Sequence, residues 1–267
     1  MKGRFNMVGL PDIQQSEPKY PIALNRVGIT DLKLPIFIAT KDNGFQHSVA
    51  KISCYVDLEA HKKGINMSRL PIAIHKYLDQ PIRSTLIRDI SEHIRQVSEA
   101  ELCDLTYEFN YFIKKLAPVS KEPGFINHKV IFNGVKTKDD YKFTFTVGSL
   151  GTSLCPCSKE ISDGGAHNQK CLVTIKSHTD PNHPIWIEDI VCIAEKCVSC
   201  EIFSVLKRTD EKFVTEAAYA NAKFVEDIAR QCYVTLLNVK EILDFEVRVS
   251  SDESIHVHRA EAIIRSA

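Results

Sequence analysis

Several segments of this chain alternate apolar and polar side chains with a period of two. The clearest alternating segments are residues 32–38, 52–58, 105–113, 141–147 and 245–249. Such alternation is typical of β-strands with one buried face. A turn sequence, Asp42-Asn43-Gly44, lies between the first two segments and predicts an antiparallel hairpin.

Between these segments, apolar residues recur with helical spacing. They do so after Pro81, after the turn at residues 179–184, and again from Val225. The order of strands, helices and strands occurs twice, which predicts an α+β fold of two tandem modules with antiparallel sheets. We expect an N-terminal arm at residues 1–20, a first module at 21–130 and a second at 131–267.

The remaining segments are assigned from their polarity and spacing. Residues 61–70 are expected to form a polar loop, and residues 206–223 a polar stretch between two helices. The last strand is expected at about residues 255–264. Alternation within that strand would place His256 and His258 on one face.

Bulk composition limits the class of protein. Lys plus Arg and Asp plus Glu are balanced at 34 each, which argues against a dedicated nucleic-acid-binding protein. The first residues lack the apolar segment of a signal peptide, and no apolar run approaches the ~20 residues of a membrane span. The nine cysteines are an odd number, so we expect mainly reduced thiols in a cytoplasmic protein without a membrane partner.

One stretch, residues 148–169, carries the chemistry. It places Cys155 and Cys157 after an alternating segment and His167 before the next one. A thiolate and an imidazole at facing strand ends are suitable ligands for one transition-metal ion. The two cysteines are too close for both sulfurs to face one ion easily, so we favour Cys155. An inert thiol, a catalytic nucleophile and a redox-active thiol pair are the alternatives.

Two protein ligands leave such a metal site incomplete, because a catalytic zinc usually takes three. A carboxylate is the natural third ligand. Four glutamates in the second half compete for this role, and the physics of the sequence does not rank them: Glu201, Glu211, Glu216 and Glu226. His256 and His258 are candidates for a general acid or for a group that orients a ligand, with a solvent-facing strand edge as the alternative.

Long motifs of the chain resemble those of the GTP cyclohydrolase IB family. They are LCPCSKEIS with GAHNQ, VSCEIFSVLKRTDEKFVTEAAY, KFVED, GLPDIQ and GINMSRL. The resemblance spans the chain from Gly9 to the histidine pair near the C-terminus. It implies the tunnelling fold, in which modules of antiparallel strands with helices on one face assemble into barrels. It also implies a homotetramer with active sites at subunit interfaces.

The resemblance implies a reaction on GTP. Water activated by a divalent transition metal (zinc, manganese or iron) attacks C8 of the purine. Formate leaves, and the ring recloses to 7,8-dihydroneopterin triphosphate, the first intermediate of folate biosynthesis. An archaeal-type relative that yields a cyclic phosphate and a non-catalytic purine- or metal-binding module are the alternatives.

Site residues follow from the same resemblance. Cys155, His167 and Glu211 match the metal ligands, and Glu226 matches the glutamate that holds the guanine. His256 matches a catalytic histidine near the final strand. Arg69, Lys207 and Arg208 are assigned to the triphosphate from charge and motif position. Glu201 and Glu216 are separated by the same fifteen residues as Glu211 and Glu226, so a shifted assignment of the two carboxylates stays open.

The chain departs from the family pattern at three places. Asn66 stands where relatives commonly have histidine, and Ala222 stands where proline is usual. The segment HVHRAEA replaces HNHDAYA near the C-terminus. The last difference bears most directly on the roles of His258 and its neighbours.

Overall fold

The computed structural model describes residues 13–183 and 185–266. Within these residues, nine antiparallel strands form one continuous sheet in the order β1-β2-β3-β4-β5-β6-β8-β9, and the short β7 pairs with β5. The strands are β1 Leu24–Ala39, β2 Phe45–Leu58, β3 Leu102–Leu116, β4 Pro123–Thr137, β5 Tyr141–Leu154, β6 Asn168–Thr179, β7 Cys200–Glu201, β8 Ile242–Ser251 and β9 Ala260–Arg265. The period-two alternation of the sequence therefore predicts the sheet correctly.

Helices cover one face of this sheet. They are α1 Arg69–His75, α2 Ser84–Val97, α3 Pro156–Ile161, α4 Ile187–Cys197, α5 Arg208–Ala220 and α6 Val225–Leu236. Helix α2 packs on β3 and β4, α4 on β5 and β6, and α6 on β8 and β9. The core lies between helices and sheet, because α2, α4 and α6 each bury one apolar stripe, such as Leu86, Ile90 and Ile94 of α2.

The two halves of the chain share an order of elements. Apart from the short elements α3 and β7 of the second half, each half runs through two strands, then helices, then two strands. The α+β class is confirmed. The sheet nevertheless continues from one half to the other through the pairing of β4 with β5, and residue 130 lies inside β4. The division into two modules at that residue stays a prediction, and residues 1–12 of the predicted N-terminal arm lie outside the described residues.

The prediction of a polar stretch at residues 206–223 was wrong. Most of it is the helix α5, in which only Asp210 and Ala218 are buried. Sequence periodicity fails here because an almost fully exposed helix carries no apolar stripe. Its N-terminus is defined instead by Asp210, whose side chain accepts a hydrogen bond from the Lys207 backbone N–H at 2.9 Å.

Two further expectations need correction. The predicted loop at residues 61–70 ends earlier, because helix α1 begins at Arg69 and tolerates Pro71 in its first turn. The last strand begins at Ala260, so His256 and His258 lie in the β8–β9 connection and not on a strand. A turn hydrogen bond from His256 N–H to the Glu253 carbonyl, 3.1 Å long, shapes that connection. In the described residues, no helix has the length and apolar character to cross a membrane.

Candidate active site

A cavity of about 470 Å³ lies at one end of the sheet. Three separate parts of the chain form its walls: the β5–β6 connection, the start of α6 and the β8–β9 connection. Its polar lining residues are Ser153, Cys155, Cys157, Ser158, His167, Gln169, Lys223, Glu226, Glu253, His256 and His258. The stretch with the predicted metal ligands therefore faces the predicted substrate anchor, although about 60 residues of sequence separate them.

Cys155 and His167 are held together by the strand pair that carries them. Strands β5 and β6 pair as far as Leu154 and Asn168, so the next residue outward on each strand is Cys155 and His167. The Cys155 N–H donates to the His167 carbonyl at 3.1 Å. The Ser158 N–H donates to the Cys155 sulfur at 3.4 Å, and the Ser158 hydroxyl accepts from the His167 N–H at 3.2 Å. The predicted neighbourhood of this thiol and this imidazole is thus present.

A network of polar side chains contacts the Nδ1 side of the His167 ring. His167 Nδ1 lies 2.8 Å from Gln169 Oε1 and 3.7 Å from Glu253 Oε2. Gln169 Nε2 lies 3.0 Å from the Ser153 hydroxyl and 3.5 Å from Glu253 Oε1. The side chains of His167 and Glu253 are mostly shielded from solvent, at 14% and 15% exposed. Hydrogen bonds in such a shielded setting hold the ring in one orientation.

Glu226 enters the cavity from the first turn of α6. The helix begins at Val225 because the Asp227 side chain accepts from the Phe224 N–H at 3.2 Å. Lys223 lies beside this helix start and donates to the Cys197 carbonyl at 2.9 Å and to Gln231 Oε1 at 2.8 Å. Burial lowers the pKa of the Lys223 ammonium. Glu226 is exposed to the cavity, so its carboxylate is available to a ligand.

His256 and His258 also line the cavity. Their rings stack with centroids 4.9 Å apart, and both side chains are exposed. The two rings therefore lie together, as the prediction of a strand would also have placed them. They do so by stacking within a connection and not by alternation along a strand. His256 and Glu226 line the same space.

The structure places Glu211 and the three predicted phosphate-binding residues outside this cavity of their own chain. Glu211 is an exposed residue of α5. Arg69 donates from Nη1 to the Val97 carbonyl at 2.8 Å, and Lys207 forms an ion pair with Glu122. Arg208 is exposed at the first position of α5.

The other two competing glutamates have partners elsewhere. Glu201 forms an ion pair of 2.6 Å with Lys115, which also bonds Glu195 at 2.6 Å. Glu216 pairs with Lys212 one turn away on α5. Of the four glutamates, only Glu226 lines the cavity.

The donor set fits a soft or borderline metal only in part within one chain. Cys155 and His167 supply sulfur and nitrogen, the ligand types that zinc and iron accept. Over residues 13–183 and 185–266, no group of three or more His, Cys, Asp or Glu side chains is arranged to hold an ion. A complete catalytic zinc site would need at least one further protein ligand beyond Cys155 and His167.

Two functional candidates, Gln169 and Glu253, were missed from the sequence. Gln169 had a usable signal, because residues two apart on a strand share a face and Gln169 follows His167 at that spacing. Glu253 had none, since a carboxylate in a polar connection is usually solvated. Only the register of β6 with β8, which pairs Cys171 with Ser251, brings Glu253 beside Gln169.

Comparison with solved structures agrees with the fold. Urate oxidase from Bacillus subtilis 168 matches with a TM-score of 0.51 at 8% identity, covering 91% of this chain and 98% of that one. Urate oxidase from Bacillus sp. TB-90 matches with a TM-score of 0.51 at 9% identity, covering 91% and 100%. At such identities the similarity concerns the fold alone, and it is consistent with the predicted tunnelling fold.

Sequence comparison gives a much closer relationship. Residues 10–262 match the family described as "Type I GTP cyclohydrolase folE2". The chain is 41% identical to "GTP cyclohydrolase FolE2" of Pseudothermotoga lettingae, covering 96% of this chain and 98% of the relative. It is 42% identical to the protein of that name from Nitrosomonas eutropha, covering 96% and 95%. The chain therefore belongs to the type I GTP cyclohydrolase FolE2 family.

Proposed function

We propose that this protein is a GTP cyclohydrolase that hydrolyses the imidazole ring of GTP at C8. It releases formate and forms 7,8-dihydroneopterin triphosphate for folate biosynthesis. The observation that carries the proposal is the single cavity in which Cys155, His167 and Glu226 meet. The relatives at about 40% identity over nearly the whole chain are named for activity on GTP, which supports the same reaction.

Glu226 is the proposed anchor for the guanine. A carboxylate can accept two N–H groups from the edge of a guanine, and such charge-assisted pairs are strong and directional. Its position in the first turn of α6 lets the side chain project into the cavity while the helix stays packed through Val225 and Ile228. The base is thereby oriented with its imidazole ring toward Cys155 and His167.

Cys155 and His167 are the proposed protein ligands for zinc, manganese or iron. Such an ion, when bound, lowers the pKa of water and so supplies a nucleophile at neutral pH. The ring opening also needs a proton source at a ring nitrogen, and His256 is the candidate because it lines the same cavity. His258, stacked on it, limits the positions that the His256 ring can take.

The third ligand distinguishes two arrangements. Glu211, the residue that the resemblance indicates, lies on α5 outside the cavity and can serve only from a neighbouring copy. Glu253 is the carboxylate that lies beside His167 in the same chain, but its Oε2 faces Nδ1 at 3.7 Å, so it would have to leave this position to act as a ligand. Arg69, Lys207 and Arg208 also lie outside the cavity of their own chain. They can contact the triphosphate only across a subunit boundary.

The need for residues from a neighbouring copy supports a more specific proposal about assembly. We assign the chain to type IB and expect a cytoplasmic homotetramer with interfacial sites, built from two tunnelling-fold modules per chain. Four predicted site residues outside the cavity are what an interfacial site would give. Gel filtration with light scattering should show a tetramer, and a monomer that turns over GTP would contradict the assignment of Glu211.

The activity test uses purified protein stripped of metal. Zinc, manganese and iron are added back separately, and formate and pterin fluorescence are followed after addition of GTP. We expect formate release with at least one metal and a linear triphosphate product by mass spectrometry. A cyclic phosphate product would indicate the archaeal-type reaction. GTP binding without formate under every condition would indicate a binding module and overturn the proposal.

A further inference from the structure

We propose that Gln169 is a positioning residue that fixes the tautomer of His167. Its side-chain carbonyl holds the proton of His167 on Nδ1 and leaves Nε2 as the nitrogen that can bind a metal. This inference rests on the proposed metal site and adds to it the residue that makes one ring nitrogen available.

The sheet register places the participants on one face. Ser153 of β5 pairs directly with Gln169 of β6. The pairing of β6 with β8 continues past Cys171 and Ser251 through a hydrogen bond from Asp252 N–H to the Lys170 carbonyl, 3.1 Å long. Glu253 is therefore the next neighbour of Gln169 on its other side. Gln169 thus stands between a hydroxyl and a carboxylate.

These neighbours decide which way the Gln169 amide points. A carboxylate can only accept hydrogen bonds, so the amide atom that faces Glu253 Oε1 at 3.5 Å must be the NH₂ group. The same NH₂ group lies 3.0 Å from the Ser153 hydroxyl. The carbonyl oxygen then faces His167 Nδ1 at 2.8 Å. In this orientation these three contacts are satisfied and the carbonyl oxygen also accepts from the Ser254 hydroxyl at 3.4 Å, whereas a flipped amide would place an oxygen against the carboxylate.

The amide orientation in turn decides the histidine tautomer. A carbonyl oxygen is an acceptor, so Nδ1 must carry the proton. The second group near Nδ1, Glu253 Oε2 at 3.7 Å, is an acceptor as well. A neutral imidazole has one protonated nitrogen, which leaves the lone pair on Nε2. Groups that orient ligating histidines in this way commonly change metal affinity by roughly 10–100-fold.

Burial makes the arrangement persistent. Gln169 is only 8% exposed, so water cannot readily replace the protein partners of its amide. The Ser153 hydroxyl is itself buried and lies 3.3 Å from the Ser251 hydroxyl. The amide is therefore held by Ser153 of β5 and by the connection that carries Glu253, and Ser251 of β8 supports Ser153 in turn.

The experiment measures the tautomer and the metal affinity without using GTP. Metal-free protein labelled with ¹⁵N in its histidine rings is studied by long-range ¹H–¹⁵N NMR, with His167→Gln identifying the resonances. Zinc affinity is measured by competition with a chromophoric chelator for the wild type, Gln169→Leu, Gln169→Glu and the control Asn168→Leu. Asn168 is exposed and neighbours Gln169 on the opposite face of β6.

We expect wild-type His167 to be protonated on Nδ1. Gln169→Leu should lose this preference and bind zinc roughly 10–100-fold more weakly. Gln169→Glu keeps an acceptor for Nδ1 but sets a second carboxylate against Glu253, so it should restore the Nδ1 preference and recover only part of the affinity, while Asn168→Leu should match the wild type. Protonation of wild-type His167 on Nε2 would overturn the inference even if no variant folds. Equal zinc affinity of Gln169→Leu and the wild type would also overturn it.

The result separates this inference from the proposed function. If zinc binding depends on Gln169 but no metal gives formate, the tautomer assignment holds and the cyclohydrolase proposal fails. If formate is released at the wild-type rate by a Gln169→Leu protein of unchanged zinc affinity, the cyclohydrolase proposal holds and the positioning role fails.

Discussion

The two halves of the sheet have the same order of elements but use their connections differently. In the first half, residues 40–44 join β1 to β2 and residues 117–122 join β3 to β4. In the second half, residues 155–167 join β5 to β6 and residues 252–259 join β8 to β9. Antiparallel order brings all four connections to one end of the sheet. Of these four connections, only the longer pair, in the second half, lines the cavity, together with the start of α6.

Polar groups of the two short connections are hydrogen-bonded either within the connection or to a carboxylate that has a structural role. Asp42 accepts from the Thr40 hydroxyl and the Gly44 N–H in the first turn. The β3–β4 connection is held by Asp210, which accepts from the N–H groups of Val119 and Ser120 at 2.8 Å each. Burial alone would raise the pKa of Asp210, but these hydrogen bonds and those from Ser120 and Lys207 hold it well below its usual range.

The comparison shows how two halves with a shared order of strands differ in the polar groups they leave free. A carboxylate that is saturated by backbone N–H groups, as Asp210 is, has no free capacity for a ligand. Glu226, in the second half, is exposed to the cavity. The polar side chains that line the cavity thus lie mainly in the longer connections and at the start of α6.

Replacing Cys155 by alanine should give the largest effect. Loss of the sulfur ligand should remove the metal, and GTP turnover should fall on the order of 1,000-fold or more, since metal activation of water is worth several kcal/mol. Metal content by mass spectrometry and formate release are the measurements. Cys157→Ala is the matched control in the same connection and should retain both. The reverse pattern would show that Cys157 is the ligand.

Glu226→Ala tests the wall of the cavity that the start of α6 forms. We expect the variant to keep its metal but to bind GTP roughly 100-fold more weakly, because two hydrogen bonds to a charged group are lost. Calorimetric titration of GTP measures the affinity, and mass spectrometry of the purified variant measures its metal content. The control Glu216→Ala changes an exposed glutamate of α5 that pairs with Lys212. Loss of metal together with unchanged GTP affinity would exchange the roles of the carboxylates.

The sequence predicted several residues of the candidate site, but it did not predict the others that lie beside them. Cys155 and His167 were predicted to be close because they follow and precede alternating segments, and the antiparallel pair confirms it. Glu226 was predicted as an anchor from its motif, and it lines the cavity with them. Its role as the anchor stays a prediction.

The missed features depend on contacts between distant segments. Glu253 reaches His167 only because β8 pairs with β6, which no local pattern encodes. The alternation in HVH suggested a strand, although the chain turns there through the hydrogen bond of His256 to Glu253. Helix α5 was missed because almost all of it is exposed.

Two histidines that are shielded from solvent, one in each half, differ in their hydrogen-bond partners. His167 has Gln169 beside it, whereas His128 on β4 is 1% exposed, and within the described chain neither of its ring nitrogens has a hydrogen-bond partner. Burial lowers the pKa of His128 from 6.5 to about 4. The unfolded chain therefore binds a proton between these values that the folded chain does not. Stability should fall as pH drops from 6.5 to 4 and then level off.

The variant His128→Leu removes this titration. Between pH 7 and pH 5 the wild type should lose about 2 kcal/mol more unfolding free energy than the variant. Urea unfolding at the two pH values gives the difference. His47→Leu, an exposed position on β2, is the control and should follow the wild type. Parallel pH dependence of wild type and His128→Leu would mean that His128 is protonated inside the fold.

The smallest effect is expected at the β1–β2 turn, the first-half counterpart of the Cys155–His167 connection. Asn43 has a φ of 64°, a left-handed conformation that asparagine and glycine tolerate better than other residues. Asn43→Ala should lower the unfolding free energy by about 1 kcal/mol, and Asn43→Gly should cost less. Both variants should keep the wild-type kcat/KM for GTP, because this turn does not line the cavity. A drop in kcat/KM without a loss of stability would show that a short connection also contributes to the site, and the functional division between the two halves would then fail.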